Sequence, residues 1–213
     1  MSKSRIFIIS APSGCGKGTL IRELNKRFDT YNSISCTTRK PRDGEMNGVH
    51  YYFITQQQYN EMVDNDGFLE HAEFDNKAYG TPRKPVEEAL ADGMDVLLEI
   101  EPQGAFQVKA KRPDAVMIFI LPPSVASLER RLRRRAEESG ETEEQIQNRL
   151  KTAIPDLKKA YDYDYIMVNG DIDKAVADLT EIFTKAKEDD GEGLAAFASE
   201  RMKKTIDEVL ENA

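Results

Sequence analysis

The stretch APSGCGKGT, residues 11–19, has the composition of a loop that wraps around a phosphate group. The common spelling of such a loop is G-x-x-x-x-G-K-[ST], in which glycines let successive backbone N–H groups point at one anion while the lysine adds a full positive charge. Here Ala11 stands at the first position and Gly18 at the last, and a hydroxyl side chain follows only at Thr19. The loop therefore keeps its phosphate-binding parts but lacks, at Gly18, the hydroxyl that normally contacts Mg²⁺.

The residues on either side of this loop predict the strand and the helix that it needs. Residues 5–10 form a short apolar run rich in β-branched side chains, which is typical of a buried parallel strand. Apolar residues at 20, 21, 24 and 28 share one face of a helix, whose N-terminus favours an anion. The G-K-G-T spelling resembles that of adenylate kinases and related nucleoside monophosphate kinases, which manage Mg²⁺ largely through its own water molecules. We therefore expect ATP to be bound by Ala11, Pro12, Ser13, Gly14, Cys15, Gly16, Lys17, Gly18 and Thr19.

The composition argues against several classes of protein. The 213 residues suit one α/β domain with insertions, and a formal charge of −8 argues against a protein that coats nucleic acid. No apolar run approaches the ~20 residues that a membrane span requires, and the first strand begins too early for a signal peptide. The spacing of Cys15 and Cys36 fits neither a metal site nor a disulfide, so we expect a cytoplasmic protein. His50 and His71 are expected to be structural or surface residues rather than ligands.

Buried-strand patterns alternate with helical patterns along most of the chain, which predicts a parallel sheet covered by helices on both faces. The predicted fold class is α/β, with a P-loop sheet of about five strands. The expected strands are 5–10, 33–35, 95–100, 116–121 and 164–168. The expected helices after the first are 82–92, 103–111, 124–138, 142–161 and 172–187.

Two regions interrupt this alternation. Residues 36–81 contain short strands at 51–54 and 68–74, and we predict an antiparallel insertion that binds an acceptor. Residues 136–144 are charged, contain a glycine and join two arginine-bearing helices, which is typical of a small mobile lid. The expected divisions are a P-loop core of 1–35, 82–127 and 162–187, an insertion of 36–81, a lid with flanking helices of 128–161, and a C-terminal linker and helix of 188–213, the helix starting at 194.

The insertion opens with Arg39 and Arg42 on either side of a proline. Guanidinium groups bind phosphate oxygens in pairs, so this fork suits a phosphate, although alone it would equally suit a solvated basic loop. Further segments follow in a fixed order. They are S-x-T-T-R-x-P-R-x-G-E at 35–45, G-x-x-Y-x-F at 48–53, F-L-E-x-A at 68–72, Y-G-T at 79–81 and I-x-x-Q-G at 100–104.

With these segments in this order, the chain resembles guanylate kinases over about residues 4–187. The resemblance implies a P-loop core, a GMP-binding insertion and a lid, with ATP and GMP as substrates and Mg²⁺ as cofactor. It implies transfer of the γ-phosphoryl group of ATP to GMP. We accordingly expect small-molecule substrates, and neither a nucleic acid nor a membrane as partner.

The resemblance also assigns roles to individual positions. Those that would hold the GMP phosphate are Arg39, Arg42, Tyr51 and Tyr79, and those that would face the guanine are Ser35, Glu70, Thr81 and Glu101. Those that would surround the transferring phosphoryl group are Lys17, Arg135 and Arg149, with Arg131 nearby. Thr19 is the candidate for contact with Mg²⁺, through water.

Elementary chemistry agrees with a guanine-reading role for Glu70. Guanine presents N1–H and N2–H₂ as adjacent donors, and one carboxylate accepts a hydrogen bond from each. Adenine lacks that pair and would leave a buried carboxylate unsatisfied, which is a strong basis for rejection. On the lid, the run 128–138 is rich in arginine, and some of these arginines are expected only to form a solvated charged face.

Some positions depart from the family pattern. Gly18 weakens the expected metal contact, and Ala136 stands where the family commonly has glycine in the lid. Glu99 and Glu101 stand where aspartates are common, so each carboxylate extends about 1.5 Å farther, one C–C bond. The charge is kept, but the geometry toward metal or base changes.

Two alternative functions remain open at this point. One is a catalytically inactive module of the same family that binds partner peptides, and the intact Lys17, lid arginines and glycine loop argue against it. The other is a P-loop kinase for a different phosphate acceptor, and the set expected to face guanine argues against that. A further prediction concerns Cys15, which lies beside a helix N-terminus and is expected to be a reactive thiol.

Overall fold

In the computed structural model, which describes residues 4–74 and 76–211, two sheets organise the protein. In chain order the strands are β1 (Ile6–Ser10), β2 (Thr30–Asn32), β3 (Cys36–Thr37), β4 (Tyr52–Phe53), β5 (Phe68–Phe74), β6 (Lys77–Pro82), β7 (Asp95–Glu99), β8 (Val116–Leu121) and β9 (Tyr165–Val168). The helices are α1 (Lys17–Asn25), α2 (Gln56–Asp64), α3 (Arg83–Ala91), α4 (Pro102–Lys111), α5 (Val125–Ser139), α6 (Glu143–Lys158), α7 (Ile172–Lys187) and α8 (Ser199–Glu211).

The larger sheet confirms the predicted parallel architecture. Its strands lie in the order β2–β7–β1–β8–β9, and each neighbouring pair is parallel. In the central strand β1, Phe7 and Ile9 face one apolar layer, whereas Ile6 and Ile8 face the other. The first layer includes residues of α1, α5 and α7, and the second includes residues of α3, α4 and α8. Both faces are therefore covered by helices, which is why the strand is apolar at every position up to Ser10.

The predicted strand at 33–35 is wrong. The strand at this edge of the sheet is β2, which pairs with β7 through Thr30–Asn32, and the Ser33 N–H still donates to the Leu97 carbonyl. The chain then leaves the larger sheet and enters the smaller one at β3. Residues 33–35 connect the two sheets. The apolar Ile34 among them led to the incorrect prediction of a strand.

The insertion is built on the smaller sheet, in the order β4–β3–β6–β5. The pairs β3–β6 and β5–β6 are antiparallel, as expected, but β3 and β4 are parallel. A purely antiparallel insertion was therefore the wrong prediction. The residues between β3 and β4 form a long loop that returns to the starting edge, so β4 enters the sheet in the same direction as β3.

Helix α2 also lies in the insertion, where only strands were expected. Thr55 and Gln58 form a capping box at its start, and Tyr59 packs with Met62 and Val63 beneath the smaller sheet. The glutamine run at 56–58 hides this helix from a search for apolar periodicity, because only its second half carries an apolar face.

The C-terminal helix begins at Ser199 rather than at 194. The reason is that residues just before it complete the exposed edge of β9. The Phe197 carbonyl accepts a hydrogen bond from the Ile166 N–H, and Ala198 bridges to Tyr165. The first helical turn therefore closes at the Ala198 carbonyl, which accepts the Met202 N–H at 3.1 Å. Within residues 4–74 and 76–211, no helix combines the length and the apolar character needed to cross a membrane.

Candidate active site

The glycine loop joins β1 to α1 and has the curled backbone that phosphate binding requires. Gly14 and Gly16 both have positive φ, at 91° and 79°. Gly16 is also the residue before the first turn of α1, where it has a left-handed conformation and no side-chain cap. An L-residue is strained in this conformation, and α1 presents its N-terminus to the loop without a competing side chain.

Asn169 shapes the loop from the end of β9. Its side-chain Nδ2 donates to the Cys15 carbonyl at 2.7 Å, and a Cβ atom on Gly16 would lie 2.7 Å from the same nitrogen. Asn169 is buried, and its own carbonyl accepts a hydrogen bond from Arg131 at 2.7 Å. One asparagine therefore connects the loop to an arginine of α5. Our sequence analysis missed it, although a polar residue directly after a buried parallel strand is a recognisable signal.

Lys17 begins α1 and lies close to the end of β7. Its Nζ is 3.9 Å from Glu99 Oε1, and the lysine side chain is only 17% exposed whereas that of Glu99 is 48% exposed. The parallel pairing of β1 with β7 brings these two side chains to the same edge of the sheet. A cation and a carboxylate thus face the space in front of the loop.

The candidate lid arginines meet at a single carboxylate. Arg149 and Arg135 both donate to Oε1 of Glu141, at 2.6 Å and 3.2 Å. Arg149 also donates to Ser13 Oγ at 2.7 Å and thereby connects α6 to the glycine loop. The two arginines lie on different helices, so the fold, not their spacing, brings them together. Glu141 was not identified from the sequence.

The stretch at 136–144, expected to belong to a small helical lid, is helical except at 140–142. Ala136 is buried within α5, and its carbonyl accepts the Gly140 N–H at 2.8 Å. Alanine favours helix more than glycine does. The alanine at this position therefore extends α5 to Ser139, and Gly140 ends the helix in a left-handed conformation.

The expected metal contact at Thr19 has a competing partner. Thr19 is exposed on α1, and its Oγ1 accepts a hydrogen bond from Arg22 at 3.0 Å. A Cβ atom on Gly18 would meet nothing closer than Arg22 at 3.9 Å, so crowding does not explain the glycine there. Within the described part of the chain, His, Cys, Asp and Glu side chains form no group of three or more that could hold a metal ion.

The prediction that Cys15 is a reactive thiol is wrong. Its side chain is 1% exposed, and burial raises the pKa of the thiol to about 12. Arg131 and Lys17 act in the opposite direction, but their attraction for a thiolate is smaller than the cost of desolvation. The Cys15 side chain belongs to the apolar layer that includes residues of α1, α5 and α7.

The first end of the insertion, which we call the phosphate end, contains Arg39, Arg42, Glu45, Tyr51 and Tyr79. Arg39 binds Glu45 through two hydrogen bonds of 2.8 Å and 2.9 Å, and the Arg42 N–H donates to the same carboxylate at 2.8 Å. The Arg39 guanidinium lies 5.2 Å from the centroid of the Tyr51 ring, which in turn lies 6.2 Å from that of Tyr79. The hydrogen bond from Arg39 lowers the pKa of Glu45 to about 2.

A second part of the insertion, which we call the base end, contains Glu70 on β5 and Thr81 on β6. Glu70 is 6% exposed, and its Oε1 accepts a hydrogen bond from the Thr81 hydroxyl at 2.6 Å. Burial raises the pKa of Glu70, and the hydrogen bond from Thr81 opposes that rise. Glu101 is exposed at the start of α4, and Ser35 is partly buried just before β3.

The histidines have structural contacts, in agreement with the sequence analysis. His50 Nδ1 accepts the Met46 N–H at 3.1 Å, and His71 Nδ1 lies 3.1 Å from the Tyr59 hydroxyl. Both contacts are within the insertion. They stabilise its loop and its sheet.

Comparison with known proteins identifies the family of this chain. The family model for guanylate kinase matches residues 3–186. A guanylate kinase of Carboxydothermus hydrogenoformans is 48% identical over 188 residues, covering 88% of this chain and 91% of the relative. One from Escherichia coli is 46% identical, covering 85% and 88%. The crystal structure of guanylate kinase from Anaplasma phagocytophilum superimposes with a TM-score of 0.71 at 33% identity, covering 87% of each chain. The chain belongs to the guanylate kinase family.

Proposed function

We propose that this protein is a guanylate kinase, which transfers the γ-phosphoryl group of ATP to GMP and produces ADP and GDP. The observation that carries the proposal is the insertion, which has an arginine cluster in one part and a buried carboxylate, Glu70, in another. This pair of ends matches a nucleotide that has an anionic phosphate at one end and two adjacent N–H donors at the other. The glycine loop and the arginines of α5 and α6 supply the site for the donor.

In the proposed reaction a phosphate oxygen of GMP attacks the γ-phosphorus of ATP. The bond from that phosphorus to the β–γ bridging oxygen breaks, and ADP leaves. Lys17 and the loop N–H groups bind the donor phosphates, while Arg135 and Arg149 neutralise charge on the transferring group. Such transfers depend mainly on positioning and electrostatics, which fits a site composed of cations. Arg131 orients the loop through Asn169.

The arginines of the lid must exchange partners during this reaction. Glu141 binds both Arg135 and Arg149 in the structure. A phosphoryl group offers more acceptor oxygens than one carboxylate oxygen does, so bound ATP competes for both guanidinium groups. We propose that residues 128–161 act as the lid, residues 36–81 as the acceptor-binding insertion, and the remainder up to 187 as the core.

We propose Mg²⁺ as the cofactor, held mainly by the ATP phosphates and by its own water molecules. Mg²⁺ usually keeps several waters and is bound through few protein groups. The oxygen donors near the loop fit this mode, because the Glu99 carboxylate is half-exposed and Thr19 carries an exposed hydroxyl. When bound, the ion neutralises phosphate charge. Glu99 and Thr19 would hold its water shell.

Turnover with Mg-ATP and each of GMP, AMP, UMP and CMP tests the proposal. We expect GMP to be preferred by at least ~100-fold in kcat/KM, because only guanine satisfies Glu70. A preference for another nucleotide would indicate a kinase for a different acceptor. Failure to turn over any of them would indicate the inactive module.

The Lys17→Ala variant tests the role proposed for the glycine loop. We expect kcat to fall more than about tenfold, which corresponds to about 1.4 kcal/mol of barrier, with the melting temperature kept. Lys26→Ala is a suitable control, because Lys26 is exposed at the other end of the same helix, where it forms an ion pair with the partly exposed Glu23. If Lys17→Ala kept more than a tenth of the wild-type kcat, the role given to the loop would be wrong.

A further inference from the structure

Helix α4 contacts β5 at two successive residues, and the first contact is with the Glu70 carboxylate. A Cβ atom on Gly104 would lie only 2.5 Å from Glu70 Oε2. The carboxylate therefore lies directly on the helix backbone, at a place that only glycine leaves open. From the other side, Thr81 donates to Oε1. The base-end carboxylate is held between a helix and a strand.

The second contact is a two-point clamp on the backbone of the next residue. Gln107 Oε1 accepts the His71 N–H at 3.2 Å, and Gln107 Nε2 donates to the His71 carbonyl at 3.0 Å. The side-chain amide thus pairs with β5 as a neighbouring strand would. Because β5 is the edge strand of the smaller sheet, these groups are free to accept such a partner.

A β-bulge in β5 sets the positions of Leu69 and Glu70. The register with β6 shifts between Phe68 and Glu70, so Leu69 is the additional residue of a β-bulge. Leu69 is fully buried in the same apolar layer as residues of α3 and α4. The bulge sends Leu69 into the core while Glu70 stays opposite Thr81. Its strand then needs an anchor, which Gln107 supplies.

The same helix also carries the second carboxylate expected at the guanine. Glu101 is the residue before the first turn of α4, and Gly104 and Gln107 follow at intervals of three residues. Residues three apart lie on one side of a helix. The helix therefore relates Glu101 to Glu70 through two contacts, one at the carboxylate and one at the backbone beside it.

We propose that Gln107 is a positioning residue for guanine recognition, which clamps β5 to α4 so that Glu70 and Glu101 keep a fixed separation. Gln107 does not itself touch the nucleotide in this proposal. The inference rests on the proposed function, because it assumes that Glu70 and Glu101 read the base. It gives the E-x-x-G-x-x-Q spacing at 101–107 a physical meaning.

The primary test is Gln107→Leu, which keeps a similar size and removes both hydrogen bonds. We expect the KM for GMP to rise about tenfold while kcat changes less than about twofold, because positioning of the acceptor is lost but the phosphoryl-transfer groups are not. The kcat/KM for AMP should stay within about twofold, so selectivity for GMP should fall about tenfold. Equal losses for GMP and AMP, or a lower melting temperature with selectivity unchanged, would overturn the proposal.

Lys111→Met is the matched control. Lys111 also joins α4 to β5, through a hydrogen bond of 3.0 Å from Nζ to the Phe68 carbonyl. That contact lies before the bulge and does not touch the residue next to Glu70. We expect Lys111→Met to lower the melting temperature and leave the selectivity for GMP within about twofold of wild type. A tenfold loss of selectivity in this variant would show that any weakening of the α4–β5 contact has the same effect, and would overturn a specific role for Gln107.

A double-mutant cycle tests whether Gln107 acts through Glu70. In a Glu70→Gln background, Gln107→Leu should change the selectivity for GMP by less than about twofold, because the group that it positions is already altered. A full tenfold further loss would overturn the proposal. If wild-type enzyme did not phosphorylate GMP, the proposed function itself would fail. If it did and Gln107→Leu kept its selectivity, only the positioning role would fail.

Discussion

The two ends of the insertion shift the pKa values of their carboxylates in opposite directions. At the phosphate end, Glu45 is bound by the terminal nitrogens Nη1 and Nη2 of Arg39 and by the Arg42 N–H, and its pKa falls to about 2. At the base end, Glu70 is buried beside a neutral hydroxyl, and burial raises its pKa. The first carboxylate is neutralised by the protein, whereas the second is left with a desolvated charge.

In the proposed function, this difference gives the two parts of the insertion separate roles in binding GMP. Glu45 holds the Arg39 guanidinium through two hydrogen bonds, so in the proposed function little conformational entropy is lost when the phosphate of GMP binds. A carboxylate that is buried without a cation is costly, and a ligand with two N–H donors removes that cost. In the proposed function, the phosphate end therefore accepts any nucleoside monophosphate, and the base end selects among them.

The largest expected effect is at the base end. Glu70→Gln removes the charge and turns one acceptor into a donor that faces guanine's own N–H groups. We expect kcat/KM for GMP to fall about 10²–10³-fold, which is about 3–4 kcal/mol, with AMP use unchanged or improved. Steady-state kinetics with both nucleotides at saturating Mg-ATP measures this. Equal losses for the two nucleotides would remove the distinction between the ends.

A somewhat smaller effect is expected from Arg39→Met at the phosphate end. The loss of a guanidinium that binds phosphate should lower kcat/KM about 100-fold for GMP and AMP alike, because the phosphate carries no information about the base. Lys40→Met is the control, since Lys40 is the exposed neighbour. A change in the GMP to AMP ratio would contradict the division between the ends.

Glu45→Gln should have a more modest effect, again independent of the base. Arg39 would lose the charged partner that orients it, and we expect KM to rise about tenfold for both nucleotides. Because the pKa of Glu45 is about 2, this carboxylate is ionised at every practical assay pH. The ratio of the KM of the variant to that of the wild type should therefore stay constant between about pH 6 and about pH 9. A lower KM in the variant would mean that Glu45 competes with the phosphate instead of positioning Arg39.

The smallest effect concerns stability. Glu70→Gln should raise the free energy of unfolding near neutral pH by on the order of 1 kcal/mol, because the variant buries no charge. The native state holds a proton on Glu70 more tightly than the unfolded chain does. The gain is therefore largest above the raised native pKa, shrinks as pH falls through it, and disappears below the unfolded pKa, where both states are protonated. Denaturant unfolding at several pH values measures this, and a destabilised variant at neutral pH would refute a desolvated charge.

The sequence alone specified most of the architecture. Apolar runs and helical periodicity fixed the parallel sheet and helices α3 to α7, because both patterns record which faces of an element are buried. It specified less of the insertion. The parallel pairing of β4, the capped but polar start of α2 and the late start of α8 each depend on partners that lie elsewhere in the chain.

The candidate site divides in the same way. The residues of the glycine loop and the two arginines of the insertion were identifiable from the sequence. Closely spaced glycine, lysine and arginine residues indicate phosphate binding without any knowledge of the rest of the fold. Asn169 and Gln107 were not, since each acts by contacting a segment far away in the sequence. Glu141 was not identifiable either, because its partners Arg135 and Arg149 lie on two different helices that only the fold brings together. The error at Cys15 has the same origin, because a helix N-terminus is visible in a sequence and the burial of a sulfur is not.

What the sequence by itself determined is the inventory of charges, donors and conformationally free residues, together with the order of the elements that carry them. Only the tertiary structure decided which charge is neutralised and which is left desolvated. Glu45 and Glu70 are the same residue type within one insertion, yet their pKa values move in opposite directions. The physical reason is that desolvation and pairing depend on what surrounds a group in space. That environment forms only when strands β3 to β6 and helix α4 come together.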